Sequence, residues 1–443
     1  MEEDALSQAF PTLWHNRRFL IVWIANLLSL TGSGASTVAV SWWVLQKTGS
    51  ATLMAGADAM AVLTMVLLSL PAGVIADRVE RRRYLAALEV VRGLVMLGLT
   101  VALLTEQATV PIVYFALVLD AAGLALFEPT LSSLWPQVVP VEQLPQANGL
   151  IWMTQNLGRV LGPALGGLLV AGLGVFAATA VDAFSYGISA LGFLSMGSLA
   201  SAHLSGGTAP GRKETSQGPR GVNVQKAPFL AELKDGLRWI AGRRPIVSLL
   251  VLASVLNLLF TAAIVLLPVL AQQVVQAGPQ SLGWLQAGFS SGAMLGGLLL
   301  GLIKVQPSPK ILIVGIMLQL LALAPIAWSM QLGVNVALLV VMGFFNASVN
   351  ATVVTLVQWM VPLAMMGRVF GAFTTLSMAL TPIGQMMGGV LADRFPLPWI
   401  FTGAALVALL VCAAALLLVP DLLRHENGLP TESQTLQVPE QDG

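Results

Sequence analysis

Long apolar runs separated by short polar breaks recur along the whole chain. Twelve of them approach or reach the roughly 20 residues that a helix needs to cross about 30 Å of hydrocarbon. They cover residues 19–45, 53–76, 84–104, 110–135, 147–172, 175–199, 246–272, 282–303, 311–329, 334–361, 368–391 and 398–420. None shows the apolar–polar alternation over about ten residues that marks a barrel strand. A backbone in lipid must satisfy its own hydrogen bonds, so helices are the spanning elements that remain. The pattern predicts an all-α membrane protein with twelve transmembrane helices.

Residues 201–226 break the rhythm with Gly, Ser, Pro and charge, the composition of a flexible linker. Beyond it, Leu230, Leu233, Leu237 and Ile240 recur at helical spacing, with Glu232, Lys234, Asp235 and Arg238 on the other face. This predicts an amphipathic helix on the inner leaflet. The expected organisation is an N-terminal segment over 1–18 and a six-helix bundle over 19–200. A linker with the amphipathic helix follows over 201–245, then a second six-helix bundle over 246–420 and a disordered polar tail over 421–443. The two bundles look duplicated. At an offset of 222 residues, Thr130, Leu134, Pro140, Gly149, Gly162, Gly166 and Gly167 match Thr352, Leu356, Pro362, Gly371, Gly384, Gly388 and Gly389.

Composition agrees with a membrane protein: 56% of residues are hydrophobic and the mean hydropathy is +0.82. Charge then sets orientation. Arg17, Arg18, the cluster Arg78, Arg81, Arg82 and Arg83, the linker's basic residues, Lys304, Lys310, Arg368 and Arg424 fall on one side of the alternating spans. Lys47 and Arg394 fall on the other. Cytoplasmic loops retain Lys and Arg, so both termini are expected in the cytoplasm. Glu2, Glu3 and Asp4 stand where a cleaved signal would be basic, so the first span is expected to remain.

A net charge of +1, with basic residues at membrane edges, argues against a nucleic-acid partner. The single cysteine, Cys412, permits no intrachain disulfide. There is no Gly-Lys dipeptide, hence no phosphate-cradling loop, and the driving energy is expected from a gradient. His15, His203 and His425 are scattered without metal-ligand spacing, and no nucleophile arrangement is visible. No enzyme, cofactor or metal is expected.

Two motifs and a few buried charges carry the candidate chemistry. In the knot over residues 73–83, Gly73 permits close helix approach and Asp77 can cap or pair at a helix end. Arg78, Arg81 and Arg82 can bind carboxylates or lipid phosphates. In the fifth stretch, Gly158, Gly162 and Gly166 stand four apart, with Gly167 beside them and Pro163 available to bend the helix. Ionisable groups at membrane depth are costly and therefore candidates for function. At 1.5 Å per residue, Asp120 and Arg159 lie about 15 and 18 Å into their stretches, near the midplane, where they can pair. Asp120 can exchange a proton if desolvated, whereas pairing opposes this, so a coupling group and a static ion pair both fit.

Asp58 and Asp182 are expected near the outer surface, in a vestibule or simply hydrated. Glu89 and Arg92, three apart, can satisfy each other. Asn26, Asn257, Asn346 and Asn350 lie within spans, Asn346 and Asn350 on one face, as cavity candidates or interhelical hydrogen-bond donors.

The pattern Gly-x-x-x-Asp-Arg-x-x-Arg-Arg of residues 73–82 resembles the loop between the second and third helices of the major facilitator superfamily. The Gly-Pro-x-x-Gly-Gly of residues 162–167 resembles the antiporter motif in the fifth helix of proton-coupled drug exporters. Residues 43–50, 77–82, 138–144 and 367–371 resemble the macrolide-efflux and enterobactin-exporter branch. The resemblance implies the major facilitator fold, two pseudo-symmetric six-helix bundles with a substrate site near the midplane between them. It implies a latch in which Asp77 engages the eleventh helix near Arg368, and Glu128 as the acidic relay partner of the loop arginines. It also implies that Asn26, Asn257, Asn346 and Asn350 stand on the cavity-lining helices one, seven and ten. The second-half loop, 301–304, lacks the acid and the arginine cluster, so a single latch is expected.

The implied function is a proton-coupled antiporter. It would export an amphipathic organic compound, a drug, siderophore or secondary metabolite, across a bacterial inner membrane as a monomer in contact with lipid. A lysophospholipid flippase and a non-transporting sensor on the same bundle are the alternatives.

Overall fold

A computed structural model describes residues 13–76, 79–140, 143–196, 229–302, 308–362 and 365–418, and every regular element among them is helical. The first half holds α1 (Arg17–Thr48), α2 (Ala51–Ala76), α3 (Arg81–Leu104), α4 (Val110–Val138), α5 (Leu144–Leu173) and α6 (Val175–Ser195). A short helix, α7 (Phe229–Ala241), precedes α8 (Arg244–Ile264), α9 (Pro279–Leu302), α10 (Pro309–Leu323), α11 (Leu332–Met360), α12 (Met366–Ala379), α13 (Thr381–Ala392) and α14 (Leu397–Leu418). Ten segments among the described residues are long and apolar enough to cross a membrane. The α9 helix and the α12–α13 pair supply the remaining two of twelve spans.

The breaks have local causes. The α1 helix ends at Gly49, whose φ of 66° is left-handed and whose N–H returns to the Leu45 carbonyl. Pro268 has no N–H to offer the carbonyl four residues back, so α8 stops at Ile264. The chain resumes as a helical turn, Leu267–Val269, and a π turn, Leu270–Val275. Pro382 likewise withholds a hydrogen bond from Met378, and the single stretch expected over 368–391 is two helices meeting at Leu380.

Along α1 the buried face repeats every three or four residues through Phe19, Val22, Asn26, Ser29, Gly32, Ser36 and Ala39. Small residues dominate because in lipid close packing, not the hydrophobic effect, brings helices together. The α1 helix packs on α5 and α6, α3 on α4 and α6, and α2 on α4. In the second half α9 and α10 pack on α11, and α13 on α8. The halves meet along two seams, α5 on α9 and α2 on α13.

The matched glycines of the repeat build these contacts. Gly162 and Gly166 abut Gly34 and Ala35 of α1, and a Cβ on Gly166 would lie 2.5 Å from the Ala35 carbonyl oxygen. Gly384 and Gly388 abut Leu258 and Ala262 of α8 in the same way. One residue further, Gly167 meets Gly283 of α9, and Gly389 meets Ala51 and Thr52 of α2. Equivalent positions therefore hold each half together and join it to the other.

The amphipathic pattern of α7 predicts a place on the inner leaflet. Among the described residues the helix packs on the start of α12, with Gly236 against Arg368 and Ala372, and with Ile240 buried beside Val369.

Candidate functional site

Polar residues occupy the inward stripes of two helices of the first half. On α3 the buried residues include Leu85, Glu89, Arg92, Met96 and Leu99; on α6 they include Asp182, Ser185, Tyr186, Ser189 and Phe193. Helical spacing of three and four aims both sets at the interior. Arg92 crosses α4 at Gly123, where a Cβ would lie 2.6 Å from its Cγ, so only glycine admits the side chain in this path.

The Arg92 guanidinium grips Asp120 with two hydrogen bonds, Nε to Oδ1 at 2.9 Å and Nη2 to Oδ2 at 3.3 Å. Nη2 also donates to the Tyr186 hydroxyl at 2.6 Å, and that hydroxyl donates to Asp120 Oδ1 at 3.0 Å. The chain of hydroxyls continues: Ser33 Oγ lies 2.8 Å from Tyr186 Oη and donates to Asp182 Oδ1 at 3.2 Å. Ser189 Oγ donates to Glu89 Oε1 at 3.1 Å. The other oxygens, Glu89 Oε2 and Asp182 Oδ2, are buried without a hydrogen-bond partner. Three carboxyls thus surround one guanidinium, in a medium where an unpaired charge is expensive.

This arrangement corrects two expectations and details a third. Asp120 pairs with Arg92 and not with Arg159, which is exposed on α5. The two do not share a direction, because the face of α5 beside Arg159 presents Gly158 and Gly162 to α1. Asp182, expected near the outer surface, is 1% exposed within the cluster. Arg92 directs its donors to Asp120 and Tyr186, while Glu89 is held by Ser189.

The cavity candidates divide between the halves. Asn26 and Glu128 line a cavity of about 230 Å³ with Ser132, Trp135, Asn148 and Gln155. Asn257, Asn346 and Asn350 line a narrower one of about 60 Å³ with Phe260 and Gln319. Asn350 Nδ2 donates to the Asn346 carbonyl at 2.9 Å, and Asn257 Nδ2 to the Ser377 carbonyl at 3.1 Å. Both cavities are smaller than the roughly 300–1,000 Å³ of a drug-sized site, so such a cargo requires the helices to rearrange.

At the charged loop, Arg81 Nε donates to Ser133 Oγ at 2.8 Å and Arg82 Nη1 to the Leu194 carbonyl at 3.0 Å, tying the start of α3 to α4 and α6. Gly73 lies in α2, while Asp77 and Arg78 lie outside the described residues. Arg368 stands 3.7 Å from Asp235 of α7, both exposed.

One polar contact crosses between the halves that no sequence motif announced. The Asp393 carboxylate, just past α13, accepts from the N–H groups of Ala51 at 2.7 Å and Thr52 at 3.0 Å and from Ser50 Oγ at 2.8 Å. It caps the N-terminus of α2 from the other half. Partial burial pushes this carboxyl's pKa up, but the hydrogen bonds from Thr52, Ser50 and Ala51 outweigh it and hold the group below the usual carboxylate range.

The sequence profile of the transmembrane secretion effector family of major facilitators matches residues 9–440. The macrolide efflux protein A of Streptococcus pyogenes is 23% identical over 385 residues, 85% of this chain and 90% of that protein. The enterobactin exporter EntS of Escherichia coli is 27% identical over 417 residues, 94% of each. A solved bacterial homolog of the human lysosomal transporter Spinster, inward-facing and occupied, superposes with a TM-score of 0.67 at 15% identity, over 95% of this chain and all of that one.

Proposed function

Because the chain belongs to the transmembrane secretion effector family, a group of multi-pass efflux transporters, we propose that it exports an amphipathic organic compound from the bacterial cytoplasm by alternating access, in exchange for protons. It is read as a transporter and not an enzyme. The halves over 19–200 and 246–420 rock about their shared seams, and the Lys and Arg bias supports both termini in the cytoplasm of an inner-membrane protein.

The observation that carries this reading is the use of equivalent glycines, Gly167 and Gly389, as the points where each half rests on the other. Two backbones in direct contact slide or part without disturbing a packed side-chain core, which suits rigid-body rocking. In this state the Asp393 cap holds the α1–α2 turn to the end of α13. That end is the outer one under the proposed topology, so the cavity opens inward. Asp77, reaching toward Arg368, is the proposed latch of the opposite, outward-facing state, with Gly73, Arg78, Arg81 and Arg82 shaping its loop. Gly158, Gly162, Pro163 and Gly166 form the α1–α5 joint.

Glu128, at the cavity with Asn26, and the exposed Arg159 are read as cargo-facing charges. Asn257, Asn346 and Asn350 offer amides to the cargo from the second half. Asp120 belongs to the coupling group. Counterflow of a labelled macrolide, siderophore, cationic dye or lysophospholipid in proteoliposomes tests the reading. Saturable exchange of one of the first three supports it, exchange of the lysophospholipid alone favours a flippase, and no exchange of any favours a sensor.

A further inference from the structure

We propose that Asp182 is the carboxyl that carries the exchanged proton, and that Ser33 and Tyr186 form the wire connecting it to Asp120 at the partly exposed edge of the cluster. This rests on the export reading above.

The Arg92–Asp120 pair is bidentate and neutral as a unit, so Asp120 is the resting counter-ion of the guanidinium. Two carboxyls remain, Glu89 and Asp182, at 0% and 1% exposure, each with one oxygen lacking any partner. The titratable and charged groups facing Asp182 are Glu89 and Arg92 from α3, Asp120 from α4 and Tyr186 on its own helix; α1 contributes Ser33 and Gly32. A single cation already bound to one carboxylate does not neutralise two more, so a proton on Asp182 or Glu89 removes a charge that the site has nothing to balance.

Connection distinguishes the two. Asp182 reaches Asp120 through two hydroxyls at 3.2, 2.8 and 3.0 Å, and the Asp120 side chain is 20% exposed, at the rim of the cluster. Glu89 meets only hydroxyls that lead no further among the described residues, Ser189 and Ser29. A proton arriving at Asp120 turns the Tyr186 hydroxyl, which donates to Asp120 at rest, toward Ser33 Oγ; the Asp120 proton then passes to Tyr186 Oη as the Tyr186 proton moves to Ser33 Oγ and the Ser33 proton moves to Asp182. One proton is transferred, both hydroxyls are restored and no bond to carbon changes.

The wire is also joined to the moving parts. Ser33 lies between Gly32, where a Cβ would lie 2.5 Å from Ser185 Oγ and 3.1 Å from Asp182 Oδ1, and Gly34, which abuts Gly162 and Pro163 of α5. A shift of α1 along the glycine joint displaces Ser33 and opens or closes the connection.

The test uses the full chain purified in detergent and then in liposomes. In pH-difference infrared spectra the wild type is expected to show a carboxylic-acid carbonyl band that titrates reversibly. D182N removes it and E89Q leaves it. In liposomes, D182N loses uptake driven by a pH gradient but keeps counterflow. Y186F slows gradient-driven uptake by about tenfold, the loss of one hydrogen-bonded step, with counterflow within about twofold. A titrating band that survives in D182N, or gradient-driven uptake by D182N at the wild-type rate, overturns the proposal. So does loss of counterflow in both D182N and Y186F, which would assign the cluster to the fold. A wild type that titrates the band but moves no compound overturns the export reading alone.

Discussion

The carboxylate of Asp393 accepts a hydrogen bond from the backbone N–H of Ala51 at 2.7 Å although 342 residues separate them. An acid that caps a helix from the other half of the molecule is broken whenever the halves part at that end, so it biases the equilibrium toward closure there. Replacing Asp393 with Ala removes the cap, a change worth about 0.5–2 kcal/mol in ordinary helices. Spin labels on the α1–α2 turn and on Phe395 are expected to show a longer, broader distance distribution in D393A than in the wild type.

The pH dependence of that contact follows from its sign. The closed state lowers the Asp393 pKa, so its stabilisation is complete above the free carboxyl's value, about 3.9, and is lost as pH falls through the lower, closed-state value. The same distance is therefore expected to be constant from about pH 5 to 8 and to lengthen only in stronger acid. A transition near neutrality would contradict this.

Breaking the buried pair should be costly and partly reversible. Arg92→Met leaves the Asp120 carboxylate without its cation, and Asp120→Asn leaves the guanidinium unneutralised; each is expected to cost about 3–5 kcal/mol. The R92M/D120N double variant should lose much less than the sum, as a thermal-unfolding cycle in detergent would measure.

Glycines that touch backbone should differ from those that touch nothing. Gly166→Val places branched carbons against the Ala35 carbonyl and is expected to destabilise by about 1–3 kcal/mol. A Cβ on Gly98 would meet no atom within 4 Å, and Gly98→Ala should be neutral or raise the melting temperature slightly.

Glu128 is expected to select cargo by charge. With Asn26, Asn148 and Gln155 around it, the carboxylate favours cations. Glu128→Gln should weaken counterflow of cationic dyes by about tenfold, the effect of one ion pair, while sparing neutral compounds.

The spans were legible in the sequence and direction around the helix was not. Apolar runs located the spans because hydrocarbon thickness fixes their length, and the four-residue spacing of Gly158, Gly162 and Gly166 gave a contact stripe that faces α1. The same reckoning of depth placed Asp120 beside Arg159, although Asp120 lies on the side of α4 shared with Gly123, which faces Arg92. The spacing of Asp182, Tyr186 and Ser189, all on one stripe with Phe193, was the available signal for the buried cluster. Asp393 had none, because its partners are backbone N–H groups of a distant turn. Pro268 and Pro382 were visible as residues, but continuous hydropathy across them concealed the breaks they impose.

Export driven by a proton gradient is tested most directly in inverted membrane vesicles given an acid interior, with uptake of a labelled amphipathic compound followed over time. Accumulation above the external concentration, abolished by a protonophore and absent from D182N, is the expected result. Uptake that persists unchanged after the gradient is collapsed, for every compound that the protein exchanges, would contradict it.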